Sequence, residues 1–191
     1  DFGYQILSPH KEIKGDNIYL LGHSHANTIQ DEYFDLIKVP GIENQEQPIG
    51  WCSWYYYFTK VHEKDMLDNL GEASAKNVKW SFFQLDDGYQ TRMGDWLSLN
   101  DKFSGGMKNL VDKIKESGMK AGIWLAPFTA RSNSRLYKEH YEYVLKDERG
   151  KPCLAGWNPN WGIGGNFYGL DTTHPGLQEY LRKVFHTIVH E

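Results

Sequence analysis

A run of mostly apolar residues from Trp80 to Leu85 ends in two adjacent carboxylates, Asp86 and Asp87, followed by Gly88. Its length and apolar content are those of a buried strand. The glycine lets the chain turn directly after it. Packing alone does not account for the two acids. Desolvating two like charges side by side costs several kcal/mol unless donors satisfy them. The C-terminal mouth of this strand is therefore expected to meet a polar ligand. A solvated acidic turn is the alternative.

The surrounding chain repeats a strand–loop–helix rhythm. Ile49–Trp54 is a predicted first strand, followed by an aromatic loop through Tyr55, Tyr56, Tyr57 and Phe58. A helix over Glu63–Lys76 places Met66, Leu67, Leu70 and Ala73 on one face. After the Trp80–Leu85 strand comes a long loop with Gly94-Asp95-Trp96 and Gly105-Gly106. Met107, Leu110, Val111 and Ile114 then recur at helical spacing, ending at Gly118. A third strand covers Ala121–Ala126, stopped by Pro127. A long excursion contains a hairpin signal at Arg149-Gly150-Lys151-Pro152. Phe167–Leu170 reads as a strand again, and Pro175 opens a helix with Leu177, Leu181, Val184, Phe185 and Ile188 on its apolar face.

Short returns between such units argue for parallel β/α architecture. The long, aromatic loops follow the strands, which favours a (β/α)8 TIM-type barrel over a doubly wound sheet. A dinucleotide-binding fold would need G-x-G-x-x-G after the first strand, where Trp54-Tyr55-Tyr56-Tyr57 stands instead. A whole barrel needs about 250 residues, and residues 48–191 have room for about half of one. Before them, residues 26–39 form an amphipathic helix through Ile29, Tyr33, Phe34 and Ile37, stopped by Pro40-Gly41. Glu43–Pro48 is a polar linker. The expected division is therefore residues 1–47 as the end of a preceding β-rich unit plus a linker helix, and 48–191 as the first half of the barrel. The chain does not start with methionine and is expected to be a fragment or a processed form.

Charge excludes several function classes. The net charge is −4, with acids and bases interspersed, so no basic block marks a nucleic-acid or anionic membrane partner. No apolar run reaches the roughly 18 residues of a membrane span, and the first residues are not a signal peptide. The two cysteines, Cys52 and Cys153, argue against a disulfide scaffold and suit a reducing, cytoplasmic compartment. Aromatics make up 15% of the chain and crowd into loops, where ring faces pack on the apolar faces of sugars or on interfaces.

Several segments together carry a resemblance. Gly50-Trp51-Cys52-Ser53-Trp54-Tyr55, Leu85-Asp86-Asp87-Gly88-Tyr89, Gly94-Asp95-Trp96, Gly122-Ile123-Trp124-Leu125-Ala126-Pro127-Phe128 and Leu170-Asp171-Thr172-Thr173-His174-Pro175 occur in this order. They resemble the α-galactosidases (melibiases) of glycoside hydrolase family 36. The resemblance runs over about residues 48–182 and, by analogy, makes residues 1–47 the end of that family's β-sandwich and linker. It implies retaining hydrolysis of terminal α-1,6-linked galactose in melibiose- and raffinose-type oligosaccharides. The family's nucleophile follows strand four in a Lys-x-Asp motif, and its acid/base comes later. No such motif ends an apolar strand here, so both are expected beyond residue 191 and this segment supplies no catalytic residue.

Adjacent side chains on a strand point to opposite faces, so Asp86 and Asp87 are poorly suited to flanking one bond as acid and nucleophile. They suit gripping two hydroxyls of one sugar. The resemblance implies the same role, with galactose hydroxyls, the axial O4 among them, donating to the pair. It also makes Trp54 and Trp124, which end strands one and three, walls of the galactose pocket, with core or rim positions as the alternative. Tyr55 joins the substrate-binding set, though either neighbouring tyrosine can face the pocket instead. Asp95 and Trp96 serve either the leaving-group side or a loop anchor. Asp171 is expected to serve the turn before the helix opened by Pro175. His186 and His190 have i, i+4 spacing without an accompanying metal motif and read as a solvated helix face, so no metal or cofactor is expected.

Three readings share these residues. The first is an α-galactosidase. The second is a galactosyltransferase of the raffinose-synthase type, in which sugar rather than water meets the intermediate. The third is a non-catalytic sugar-binding domain. In each the expected partner is a galactoside oligosaccharide, with no nucleic acid and no membrane. Homo-oligomerisation stays open.

Overall fold

The structure, a computed structural model, describes residues 12, 17–38, 47–161 and 165–190. The chain divides into two compact units, Asp1–Glu46 and Gln47–Glu191. In the first, residues 17–23 are irregular and α1 spans Ala26–Ile37. Its apolar stripe stays open: Tyr33, Phe34 and Ile37 are all exposed, and α1 buries none of its residues. The stop at Pro40-Gly41, the linker from Glu43 and most of the first sixteen residues lie outside the described residues.

The second unit is built on three parallel strands, β1 (Gly50–Cys52), β2 (Phe82–Leu85) and β3 (Lys120–Ile123), in the order β1-β2-β3. Parallel neighbours need a crossover, and helices supply it. A one-turn helix α2 (Trp54–Tyr57) and the longer α3 (Glu63–Ser74) join β1 to β2. Helix α4 (Met107–Glu116) joins β2 to β3.

Period-two alternation divides the sheet into two faces. Trp51, Phe83, Leu85, Ala121 and Ile123 share one face, since the register pairs Trp51 with Phe83, Phe83 with Ala121 and Leu85 with Ile123. That face packs on Met66, Leu70 and Ala73 of α3 and on Leu110 and Ile114 of α4, forming the main core. Trp51 stacks on Phe83 with ring centroids 4.3 Å apart. Each fully buried side chain of this size stabilises by about 1.5–3 kcal/mol. The opposite face carries Gly50, Cys52, Phe82, Gln84 and Gly122, paired in the complementary register. A Cβ at Gly50 would lie 2.2 Å from the Phe82 ring, so a side chain there would displace it.

Expected strand ends shift for identifiable reasons. Trp80 stands before β2 and not in it; its indole N–H donates to the Ala73 carbonyl at the end of α3, which also accepts from Lys76 N. The first strand is shorter than expected. Trp54 does not end it; the chain bends into α2, with Tyr57 N donating to Ser53 O.

The parallel rhythm gives way after β3 to a second, antiparallel sheet. There β4 (Thr129–Ala130) and β5 (Leu154–Trp157) flank β6 (Asn166–Gly169). The strand expected at Phe167–Leu170 therefore exists, but pairs within this sheet and does not extend the parallel one. The short α5 (Arg135–Glu139) and the final α6 (Pro175–His190) complete the unit. Leu177 and Leu181 of α6 join Ala130, Leu136, Val144 and Leu170 in a second cluster, while Val184 joins the main core. Phe185, assigned to the same apolar stripe, is 43% exposed.

Candidate active site

The C-terminal end of β2 positions the paired acids. Asp86 is 8% exposed and Asp87 2%. Gly88 turns the chain at φ +122, and a Cβ there would lie 2.8 Å from the Thr59 backbone. Only glycine fits both the conformation and the close approach. The turn is pinned from below by Asn100, whose side-chain amide donates to Gly88 O at 2.8 Å and Gln90 O at 3.1 Å.

The two carboxylates face different partners. Asp86 sits on the Cys52/Gln84 side: its Oδ2 accepts from Gln84 Nε2 at 3.0 Å and from the Cys52 thiol at 3.4 Å. Its Oδ1 accepts from Asp87 N at 2.8 Å, and its own N–H donates to the fully buried Ser53 hydroxyl at 2.9 Å. Asp87 turns toward the loops. Its Oδ1 accepts from Gln90 Nε2 at 2.6 Å and its Oδ2 from the Trp161 indole N–H at 2.5 Å. The divergence follows from the alternation expected of neighbours on a strand.

Burial raises the Asp87 pKa above the ordinary carboxylate value; the Gln90 and Trp161 hydrogen bonds pull it back, and the Asp86 charge adds to the rise. Burial also pushes the Cys52 thiol up, with Asp86 contributing, so Cys52 stays a neutral donor beside the carboxylate. A carboxylate offers about four acceptor positions. The donors named above use three on Asp86 and two on Asp87, leaving acceptor capacity on both for incoming hydroxyls.

The aromatic residues divide. Trp124 lies one residue past β3, its N–H donating to Leu85 O at 2.9 Å, so it stands beside the paired acids at the same mouth. It is half-buried and meets Trp96 edge-on at 6.1 Å. Trp54 opens α2 directly after Ser53 and is half-buried, edge-on to Phe58 at 5.2 Å. Tyr55 is 86% exposed on α2, more open than the rest of the set. Trp96 is a core residue, 2% exposed, and its indole N–H has no partner among the described residues.

Asp95 acts as a loop anchor: its two oxygens accept from the N–H groups of Arg135 and Leu136 and cap α5. Asp171 serves its own turn, accepting from the Thr173 N–H and hydroxyl, which lowers its pKa. The His186 and His190 rings lie 4.8 Å apart on α6, tilted at 53° to each other. Among the described residues, no cluster of His, Cys, Asp and Glu is arranged to hold a metal ion. No described helix is long and apolar enough to cross a membrane.

Sequence reasoning missed Gln84, Gln90, Asn100 and Trp161. Gln90 was within reach, since a polar residue three past an acid in a glycine turn can fold back on it. Trp161 carried no such signal.

Parallel strand–helix units with polar residues gathered at the C-terminal strand ends define an α/β protein of the type whose sites open at that mouth. The model of the family described as Melibiase matches residues 19–191. The chain belongs to that family, the α-galactosidases of glycoside hydrolase family 36. It is 29% identical over 177 residues to the A type blood α-D-galactosamine galactosaminidase of Flavonifractor plautii, covering 81% of this chain and 16% of that protein. It is 29% identical over 136 residues to α-galactosidase Mel36A of Lactobacillus acidophilus, covering 68% and 17%. The α-galactosidase of Thermus thermophilus, solved with p-nitrophenyl α-D-galactopyranoside, superposes with a TM-score of 0.69 at 35% identity over 76% of this chain and 29% of that one. The chain thus spans less than a third of the length of each.

Proposed function

We propose that the protein containing this chain is a retaining α-galactosidase. It removes terminal α-1,6-linked galactose from melibiose- and raffinose-type oligosaccharides. The chain is the first part of its (β/α)8 barrel, preceded by the end of a β-sandwich and a linker helix. The observation that carries the reading is the burial of two adjacent carboxylates at the C-terminal end of β2, each facing its own donors, in a chain of the melibiase family.

In this reading Asp86 and Asp87 accept hydrogen bonds from galactose hydroxyls, each worth about 1.5–3 kcal/mol to an ionised acceptor. A sugar with its O4 inverted leaves a carboxylate badly paired, which gives discrimination. Trp54 and Trp124 form apolar walls for the sugar's C–H faces, and Tyr55 borders the opening. The nucleophile and the acid/base, about 5–5.5 Å apart in a retaining enzyme, lie beyond residue 191. Within this chain the acids orient the sugar and do not attack it. Cys52 and Cys153 are both free, which fits a reducing compartment, and a cytoplasmic setting is part of the proposal.

Kinetics on an aryl α-galactoside test the reading. In the full-length protein, Asp86→Ala and Asp87→Ala should each lower kcat/KM by about 10²–10⁴, equivalent to about 3–5 kcal/mol. Near-wild-type kinetics in both variants would sink the assignment.

A further inference from the structure

Beside the Asp87 turn lies a cleft of about 190 Å³. Three basic side chains, Arg92, Lys102 and Arg131, line it with a single carboxylate, Asp87. In a chain of net charge −4 this is a local reversal of sign. The hydroxyls of a neutral sugar each need a donor and an acceptor. A wall of three cations supplies donors and positive field, which suits an oxyanion.

The backbone brings the two arginines together. Arg131 N donates to Met93 O at 3.0 Å, which sets Arg131 against the segment that carries Arg92. Burial lowers the Arg131 pKa, and the Arg92 charge lowers it further. Like charges held this close repel, and a bound anion relieves that repulsion. Lys102 donates to Thr59 O at 2.5 Å; burial draws its pKa down while Asp87 and Asp65 hold it up.

The cleft and the sugar carboxylates share Asp87, and Trp161 links Arg131 to it. Arg131 donates to the Trp161 carbonyl, and the Trp161 indole donates to Asp87. An anion in the cleft would therefore sit directly against a sugar held by the paired acids.

We propose that this cleft is a subsite for a phosphate-type oxyanion carried by a galactoside bound at the paired acids, so that the ligands include galactosides bearing a phosphate monoester. The proposal rests on the reading of Asp86 and Asp87 as galactose ligands. Guanidinium groups recognise such oxyanions through paired N–H donors, which ammonium groups do not offer.

The test is calorimetric titration of the full-length protein with three probes: inorganic phosphate, α-galactosylglycerol and α-galactosylglycerol phosphate. The phosphorylated galactoside should bind about ten-fold or more tightly than the neutral one. Arg92→Glu, a change at an exposed position, should abolish that difference while the circular dichroism and thermal midpoint stay those of the wild type. Equal affinity for the two galactosides in the wild type overturns the proposal. So does a difference that survives both Arg92→Glu and Arg131→Ala. Inorganic phosphate binding more tightly than the phosphorylated galactoside also overturns it, since the cleft would then serve free phosphate. Arg92-dependent phosphate binding without binding of either galactoside overturns the galactose reading, and with it the substrate half of this proposal. Failure of the cleft alone leaves the neutral galactoside bound.

Discussion

The indole N–H of Trp161 donates to Oδ2 of Asp87 at 2.5 Å, joining positions 74 residues apart. It ties the 3-10 turn Pro159–Trp161 to the end of β2. A second anchor, the Thr59 hydroxyl donating to Asn160 O at 3.0 Å, holds the same turn against the loop after β1. The orientation of one half of the paired acids is thus set by the excursion that follows β3.

Removing that donor should be felt at Asp87. A hydrogen bond to an ionised group contributes about 1.5–3 kcal/mol, so Trp161→Phe should lower kcat/KM on an aryl α-galactoside by about 10- to 100-fold. Because the lost bond favours the ionised form, the acid limb of the pH profile should move to higher pH. Kinetics with an unmoved acid limb would show that Trp161 does not act through Asp87.

Burial of Asp87 also gives a pH signature. Its folded-state pKa is raised, so between the unfolded value of about 3.9 and the folded one the native protein binds more protons than the unfolded chain. This contribution to stability is present at low pH and is lost as pH rises through the folded pKa. Galactose affinity should show the opposite trend, weakening as pH falls through the same value, because a protonated carboxyl is a poorer acceptor. Asp87→Asn should remove both steps. Denaturant midpoints and galactose titrations measured across pH check the two signs separately.

Gly88→Ala should damage the fold locally. Its φ of +122 is unfavourable for a side chain and its Cβ would meet the Thr59 backbone at 2.8 Å. The conformational strain alone costs about 1–3 kcal/mol. Urea denaturation should show a loss at least that large, and galactose binding should weaken with it. A variant as stable as the wild type would mean that the Thr59 segment can move aside.

Local pattern made much of the fold legible. The spacing of Met107, Leu110, Val111 and Ile114 foretold α4, and Met66, Leu70 and Ala73 foretold the buried face of α3, because a helix repeats every 3.6 residues whatever it packs on. The parallel β/α units around the paired acids were legible for the same reason. The partner of β6 was not: its apolar run marks a strand, but its antiparallel pairing is decided by β4 and β5, distant in sequence. Trp54 was misplaced at a strand end because the bend into α2 belongs to a tertiary arrangement, in which the Ser53 hydroxyl leaves its own strand to meet Asp86 N. At the site, the acids announced themselves as charges at the end of an apolar run. Their donors did not, since Gln84 and Asn100 look like ordinary polar residues and Trp161 lies far along the chain.

The central claim, that Asp86 and Asp87 hold galactose by its hydroxyls, is tested most directly by comparing galactose with glucose, which differs only at O4. Calorimetric titration of the full-length protein should give an affinity for galactose about ten-fold or more above that for glucose. Asp86→Asn and Asp87→Asn should each erase most of that preference. Equal affinity for the two sugars in the wild type, or a preference untouched by both substitutions, would contradict the account.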